Sequence, residues 1–195
     1  MIAFDKEGET PLEDISGLKL KKITSRKELD EAEAQNILKA YIKYTLSPSK
    51  LQKVSFELSF FRRLHADMFK DVWNWAGEFR TTQTSIGEEA NKIYQALYHL
   101  QDDLKFWEKN WNHKDTAVRF HHTLVKIHPF ANGNGRWARL ATDLWLLKHG
   151  HDMLRWGGNI TEISVSRSEY IASLKEADNG NYERLKKFMF RRKNV

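Results

Sequence analysis

The stretch from His128 to Arg139 limits what this chain can fold into more than any other part of it. One apolar-periodic run, carrying Val118, Leu124, Val125 and Ile127, ends at His128 and Pro129. A second, carrying Leu140, Leu144, Leu146 and Leu147, begins just after Gly133, Asn134 and Gly135. Apolar residues at three- and four-residue spacing predict helices, proline disfavours helix in the residue before it, and the glycines allow the torsions of a tight turn. The stretch is therefore expected to join two helices. The free N–H groups at the start of the second helix and those of the turn would converge on one small volume, an arrangement that attracts anions. Arg136 and Arg139 share a face of the second helix, and guanidinium forks match phosphate oxygens. A plain helix–turn–helix junction, with His128 as a cap and both arginines solvated, is the simpler reading. It leaves so dense a combination of residue types unexplained.

The pattern His-x-Phe-x-Asp/Glu-Gly-Asn-Gly-Arg-x-x-Arg is met at every fixed position but one, where Asn132 replaces the acidic residue. In this the stretch resembles the signature of the Fic family. Thr10, Pro11 and Leu12, with Thr24, Ser25, Arg26, Glu28 and Leu29 further on, resemble the small Fic group called mobile mystery protein B. The resemblance runs from about residue 24 to 190 and implies a mainly α fold. That fold would be one compact Fic-like helical domain of six to seven helices with a small β-hairpin flap. It further implies transfer of AMP from ATP to a hydroxyl side chain of a protein. His128 would be the general base, a role imidazole suits because its pKa lies near working pH. Asn132, Gly133, Asn134, Gly135, Arg136 and Arg139 would hold the nucleotide phosphates, and Mg²⁺ (or Mn²⁺) would be the accompanying metal. Asn132 stands where the family's acidic residue binds that metal; an amide oxygen carries no charge, so it would be a weak ligand. The alternatives are a Fic-like protein that binds nucleotide without turnover, or a phosphotransferase with another phosphate donor, such as the kinase reaction of the related Doc toxins.

Two further expectations come from the same resemblance. Trp75, Ala76, Gly77 and Arg80 match a segment that leads into a flap over residues 77–87. Gly77, Arg80, Thr81 and Thr82 would dock a target peptide there by strand addition. Thr24 and Glu28 match the first part of an inhibitory-helix pattern whose glutamate pairs with the second arginine, here Arg139, although Leu29 stands where Gly or Asn belongs. Ser25 and Glu28 equally have the form of a capping box. The partners implied are a target protein bearing a Tyr, Thr or Ser hydroxyl, self-modification, and a separate antitoxin-like inhibitor.

Along the chain, residues 1–22 read as an arm packing on the domain and residues 23–195 as the Fic-like domain, with the active-site loop at 128–136. Helices are expected at about 25–46, 50–72, 88–108, from a cap at Asp115 to His128, 135–149, 166–178 and 182–192. His121 and His122 read as structural, although the seven-residue step from His121 to His128 could place both on one face. With 195 residues and 41% apolar content the chain can bury one sizeable core. It has no cysteine, hence no disulfide framework. No apolar run approaches the length of a membrane span and the start lacks a signal-like pattern, so a cytoplasmic setting is expected. The net charge of +6 draws on Lys186, Lys187, Arg191, Arg192 and Lys193. A solvated helix end accounts for these better than a nucleic-acid contact does.

Overall fold

The computed structural model describes residues 17–156 and 165–191. Among them eight α-helices follow one another: α1 (Arg26–Thr45), α2 (Pro48–Gln52), α3 (Leu58–Phe69), α4 (Ile93–Asn110), α5 (His113–Ile127), α6 (Asn134–Lys148), α7 (Val165–Asp178) and α8 (Glu183–Met189). A 3₁₀ turn, Ala90–Lys92, leads into α4.

The helix α6 lies at the centre because nearly all of its circumference is apolar or internally bonded. Trp137, Ala138, Ala141, Leu144 and Leu146 are fully buried, and the Trp137 indole N–H donates to the Phe61 carbonyl at 3.2 Å. Helices α5, α3 and α2 pack on it, α1 packs on α3, α4 on α5, and the α7–α8 pair also packs on α5. Phe60, Phe61, Phe120, Phe130 and Trp137 form a network of edge and tilted ring contacts through this core. Such aromatic pairs contribute about 0.5–1.5 kcal/mol each beyond area burial. No helix among the described residues is long and apolar enough to cross a membrane.

Several expected boundaries move. The helix foreseen over 50–72 is two, because the chain is extended at Glu57 (φ −118°, ψ 170°) and the Ser55 hydroxyl donates to the Glu57 carboxylate at 2.6 Å. Val54 and Phe56 in that break are buried, so the apolar period continued through it and hid it. The cap of α5 is Asn112, whose Oδ1 accepts the N–H groups of Lys114 and Asp115 at 3.0 and 3.1 Å. Asp115 instead pairs with Lys186 at 2.6 Å. No hairpin forms at residues 77–87. The described residues there make one isolated antiparallel bridge, Phe79 to Phe130, and the rest is irregular.

Of the arm, residues 17–22 are described and 1–16 lie outside the described residues. Leu18 bridges Trp73, Lys19 N–H donates to the Val72 carbonyl at 2.9 Å, and Asn74 N–H donates to Gly17 at 2.8 Å. Gly157, Gly158 and Asn159, between the helices expected at 135–149 and 166–178, and the residues Arg192 and Lys193 also lie outside the described residues. Within them two residues of the basic C-terminal end are paired, Lys186 with Asp115 and Arg191 with Glu169 at 3.9 Å, while Lys187 is exposed.

Candidate active site

The loop between α5 and α6 is held in shape by its own residues before any ligand is considered. His128 ends α5 in the left-handed region (φ 51°, ψ 57°), its N–H still bonded to the Leu124 carbonyl. Phe130 drops into the core, stacked on the His65 ring at 3.7 Å between centroids. The Asn134 side chain, 2% exposed, clamps the turn: its Oδ1 accepts the Phe130 N–H at 2.8 Å and its Nδ2 donates to the Phe130 carbonyl at 2.7 Å. Gly133 has φ +77°, and a Cβ there would meet the Phe69 ring at 2.5 Å. Glycine is therefore required twice over, by torsion and by packing. Its N–H donates to Asn132 Oδ1 at 2.6 Å.

These contacts change two of the expected roles. The Asn134 side chain is consumed by the loop, as is the Gly133 N–H, so neither is presented to a ligand. What remains free is the start of α6. No side chain caps that helix, which leaves its first-turn N–H groups and the positive end of its dipole for an anion. A Cβ at Gly135 would find nothing within 4 Å, so the space beside these donors is open.

His128 is 7% exposed, and neither ring nitrogen has a hydrogen-bond partner. Burial, with the nearby Arg80 charge adding to it and the Val125 backbone, close by but forming no well-aligned hydrogen bond, opposing it, pushes the imidazole down to about 4. It is neutral at physiological pH, with a lone pair available, but its pKa lies well below the near-working-pH value expected from the sequence, so the buried ring is a weaker base than that expectation implied. A buried polar atom left unpaired in a fold that satisfies its neighbours calls for an explanation, and a reacting partner supplies one.

Arg80 is not at the surface. It is 5% exposed and binds three backbone carbonyls, His128 at 2.8 Å, Thr82 at 3.1 Å and Glu88. With Arg80 N–H donating to Pro129 at 2.9 Å and Glu88 N–H to Ile127 at 3.1 Å, it straps the 77–89 segment onto the loop between α5 and α6. Gly77 is likewise internal to the scaffold: its N–H donates to His65 Nδ1 at 3.0 Å, and a Cβ would strike Ala66 at 2.8 Å. Thr81 and Thr82 are exposed. Of the four flap residues, only those two are placed to meet a partner with their side chains.

Arg136 and Arg139 separate. Arg136 lies over the Phe69 ring at 5.0 Å and donates to Glu33 of α1 at 2.6 Å. Arg139 sits over Tyr170 at 4.7 Å and Trp156 at 5.8 Å, a cation–π setting. Glu28 does not reach Arg139. Its carboxylate accepts the N–H groups of Thr24 and Ser25 at 2.7 and 3.1 Å while the Ser25 hydroxyl accepts the Glu28 N–H at 3.3 Å. That is a complete capping box. Thr24 belongs to the same cap, its hydroxyl 3.2 Å from the Glu28 carboxylate.

His121 does not share the face of His128. It is fully buried between α6 and α7, with Nδ1 3.2 Å from the Thr142 hydroxyl and Nε2 2.8 Å from the Tyr170 hydroxyl. His122 bonds Asp178 at 2.9 Å. Both are structural.

A metal does not fit the protein donors at the loop. Residue 132 offers no carboxylate, its amide oxygen is engaged by Gly133, and no cluster of three or more His, Cys, Asp or Glu that could hold a metal occurs among the described residues.

Three residues that matter here went unforeseen. Gly87, φ +98°, lies so close to His128 that a Cβ would meet the His128 Cβ at 2.5 Å. His65 accepts from Gly77 on Nδ1, so its proton sits on Nε2 and donates to the Asn132 carbonyl at 3.0 Å. Glu33 holds Arg136 from 103 residues away. A histidine and a glutamate on otherwise apolar helical faces were the available signals, and neither one names its partner.

Comparison with known proteins bears on the fold that carries this site. Residues 55–146 match the family model described as Fic/DOC family. The protein adenylyltransferase Fic of Drosophila grimshawi is 29% identical over 150 residues, 74% of this chain and 30% of that protein. The protein adenylyltransferase fic-1 of Caenorhabditis elegans is 31% identical over 111 residues, 54% of this chain and 21% of that one. The chain thus spans under a third of the length of either relative. Among solved structures, the N-terminal Fic domain of a VirB-translocated Bep effector of Bartonella quintana, with bound ADP, aligns with a TM-score of 0.65. Identity is 19%, and the alignment covers 87% of this chain and 86% of that one. BepC of Bartonella tribocorum, with bound AMPPNP, gives 0.64 at 20% identity, over 94% and 92%. At these identities the likeness is one of fold.

Proposed function

We propose, for a chain whose residues 55–146 are a Fic/DOC family domain, that it transfers the adenylyl group of ATP to a hydroxyl side chain of a target protein. The observation that carries this reading is His128: buried, neutral, unpaired at both ring nitrogens and next to an uncapped helix start. In the reaction His128 takes the proton of the target hydroxyl as its oxygen bonds to the α-phosphorus. The bond from that phosphorus to the β-phosphate bridging oxygen breaks, and pyrophosphate leaves. The first-turn N–H groups of α6 and Arg136 are fixed before charge develops, which is how preorganised donors accelerate such transfers. Thr81 and Thr82 present the exposed part of the flap to the target. Target and enzyme would meet in the cytoplasm.

The metal is the weak point of the family pattern here. With Asn132 turned into its own loop, no step is assigned to a protein-held ion, and any Mg²⁺ would depend chiefly on the nucleotide's phosphates. The same observation favours a second reading, nucleotide binding without turnover.

Labelling with α-³²P-ATP, alone and with lysate, separates the two. Under the first reading covalent label appears with wild type and is lost with His128→Ala. Under the second, ATP raises the melting temperature while no label forms with wild type. If wild type neither labels nor responds to ATP, both readings fail.

A further inference from the structure

Glu33 is an uncommon residue for the middle of a core helix face. It lies on α1 with its carboxylate 1% exposed, and a buried carboxylate is costly unless both oxygens are satisfied. Each oxygen has one partner. Oε1 accepts the Trp73 indole N–H at 2.6 Å, and Oε2 accepts Arg136 Nη1 at 2.6 Å. Trp73 is fully buried and stacked on Trp75 at 4.9 Å, so it cannot follow a moving carboxylate. Arg136 in turn lies over Phe69, the ring against which Gly133 is pressed. The first arginine of the loop is thereby fixed on two sides, by a carboxylate from α1 and a ring from α3. Most of its N–H donors are left over, because the pair uses only one nitrogen.

We infer that Glu33 is a positioning residue for nucleoside polyphosphates, aiming Arg136 at the phosphates beyond the α-phosphate. The inference rests on the adenylyl-transfer reading, since it takes the ligand from there. Side-chain entropy explains why such a residue is useful. A free arginine loses rotamer freedom on being fixed by a ligand, whereas one already held by Glu33 and Phe69 has lost it during folding. A packing role alone makes a different forecast, because a salt bridge that merely joins α1 to α6 has no reason to distinguish one nucleotide from another.

Calorimetric titration with ADP and with AMP tests this on the full chain, using wild type, Glu33→Gln, Arg136→Gln and the double variant. Glu33→Gln is expected to weaken ADP about tenfold, the usual scale for losing a hydrogen bond to a charged group, and to leave AMP within about twofold of wild type. In the Arg136→Gln background Glu33→Gln should add nothing further, because its effect passes through Arg136. If Glu33→Gln does not fold, Glu33→Asp keeps the charge but shortens its reach, and should show the same ADP-selective loss. Equal weakening of both nucleotides, unchanged or tighter ADP binding, or additive losses would each overturn the inference while leaving the nucleotide reading intact. Failure of wild type to bind ADP would overturn both.

Discussion

His128 sits where a residue with a Cβ is rarely placed, at positive φ, at a cost of roughly 1–2 kcal/mol. The α5 ladder holds it on one side through Leu124, and on the other Gly87 lies near enough that any side chain there would strike its Cβ. Strain of this kind concentrates at working sites, and here it brings an imidazole into a dry position beside an anion-ready helix start. Its titration has a definite sign. The folded pKa is lowered from 6.5 to about 4, so the neutral base is present above about pH 4 and lost only as pH falls through that value. The acid limb of kcat/KM, which reports the free enzyme, is expected near pH 4. A limb at about 6.5, the ordinary imidazole value, would show that burial does not lower His128 in the working enzyme, and a limb that stays in place in His128→Gln would show that His128 is not the base. Residue 132 gives the second prediction at this scale. Asn132→Asp supplies the missing charge, so labelling should rise and half-saturation by Mg²⁺ fall by about tenfold, the scale on which even outer-shell partners shift metal affinity. A metal titration of labelling checks it, and an unchanged midpoint would mean that residue 132 does not face the ion.

The elements around the loop were legible in the sequence wherever their signals are local. Ser25 and Glu28 are three residues apart and cap α1; Pro129 closes the region after α5; the glycines flank the start of α6. The contacts that orient the site join residues 48, 67 and 103 positions apart, Arg80 to His128, His65 to Asn132 and Glu33 to Arg136. No spacing rule reads such distances. Arg80 shows the consequence, since its place in a flap motif suggested a surface role and the fold put it inside. Because it ties three carbonyls, Arg80→Lys should keep the charge near His128, and so the acid limb, while freeing the segment. Amide exchange should then quicken at Glu88, whose N–H donates to Ile127, and labelling of the target should drop. Unchanged exchange would refute the strap. At α1, Ser25→Ala removes the N-cap at a cost of about 1 kcal/mol, read as a lower denaturation midpoint. Both Ser25→Ala and Glu28→Gln should leave labelling unchanged; a rise with Glu28→Gln would restore the inhibitory reading that the capping box displaced.

For the molecule as a whole, three neutral histidines are built into the interior. Burial is the main cause in each, lowering His65 to about 3, His121 to about 3 and His128 to about 4. In the unfolded chain all three protonate near 6.5. At pH 5 unfolding therefore takes up about one proton at each, and stability, which rises with pH wherever the unfolded state binds more protons, must fall as pH drops from about 6.5 towards 4. Asp143 works the other way. Burial raises it to about 7 even though it accepts the N–H groups of Leu154 at 3.0 Å and Trp156 at 2.9 Å. Its proton is held when folded and released on unfolding. These four groups leave a net uptake of about two protons, and each net proton tilts stability by about 1.4 kcal/mol per pH unit. His113 and His122, also lowered mainly by burial, steepen the slope further. The slope can be dissected even if a variant is weaker overall. In denaturation midpoints measured from pH 6 to 4.5, His121→Gln should reduce it by about one proton, and Asp143→Asn, by removing the opposing group, should raise it by about one. A slope that Asp143→Asn leaves unchanged would mean that its carboxylate is ionised in the folded protein, held in that form by the two N–H donors and the neighbouring Arg139.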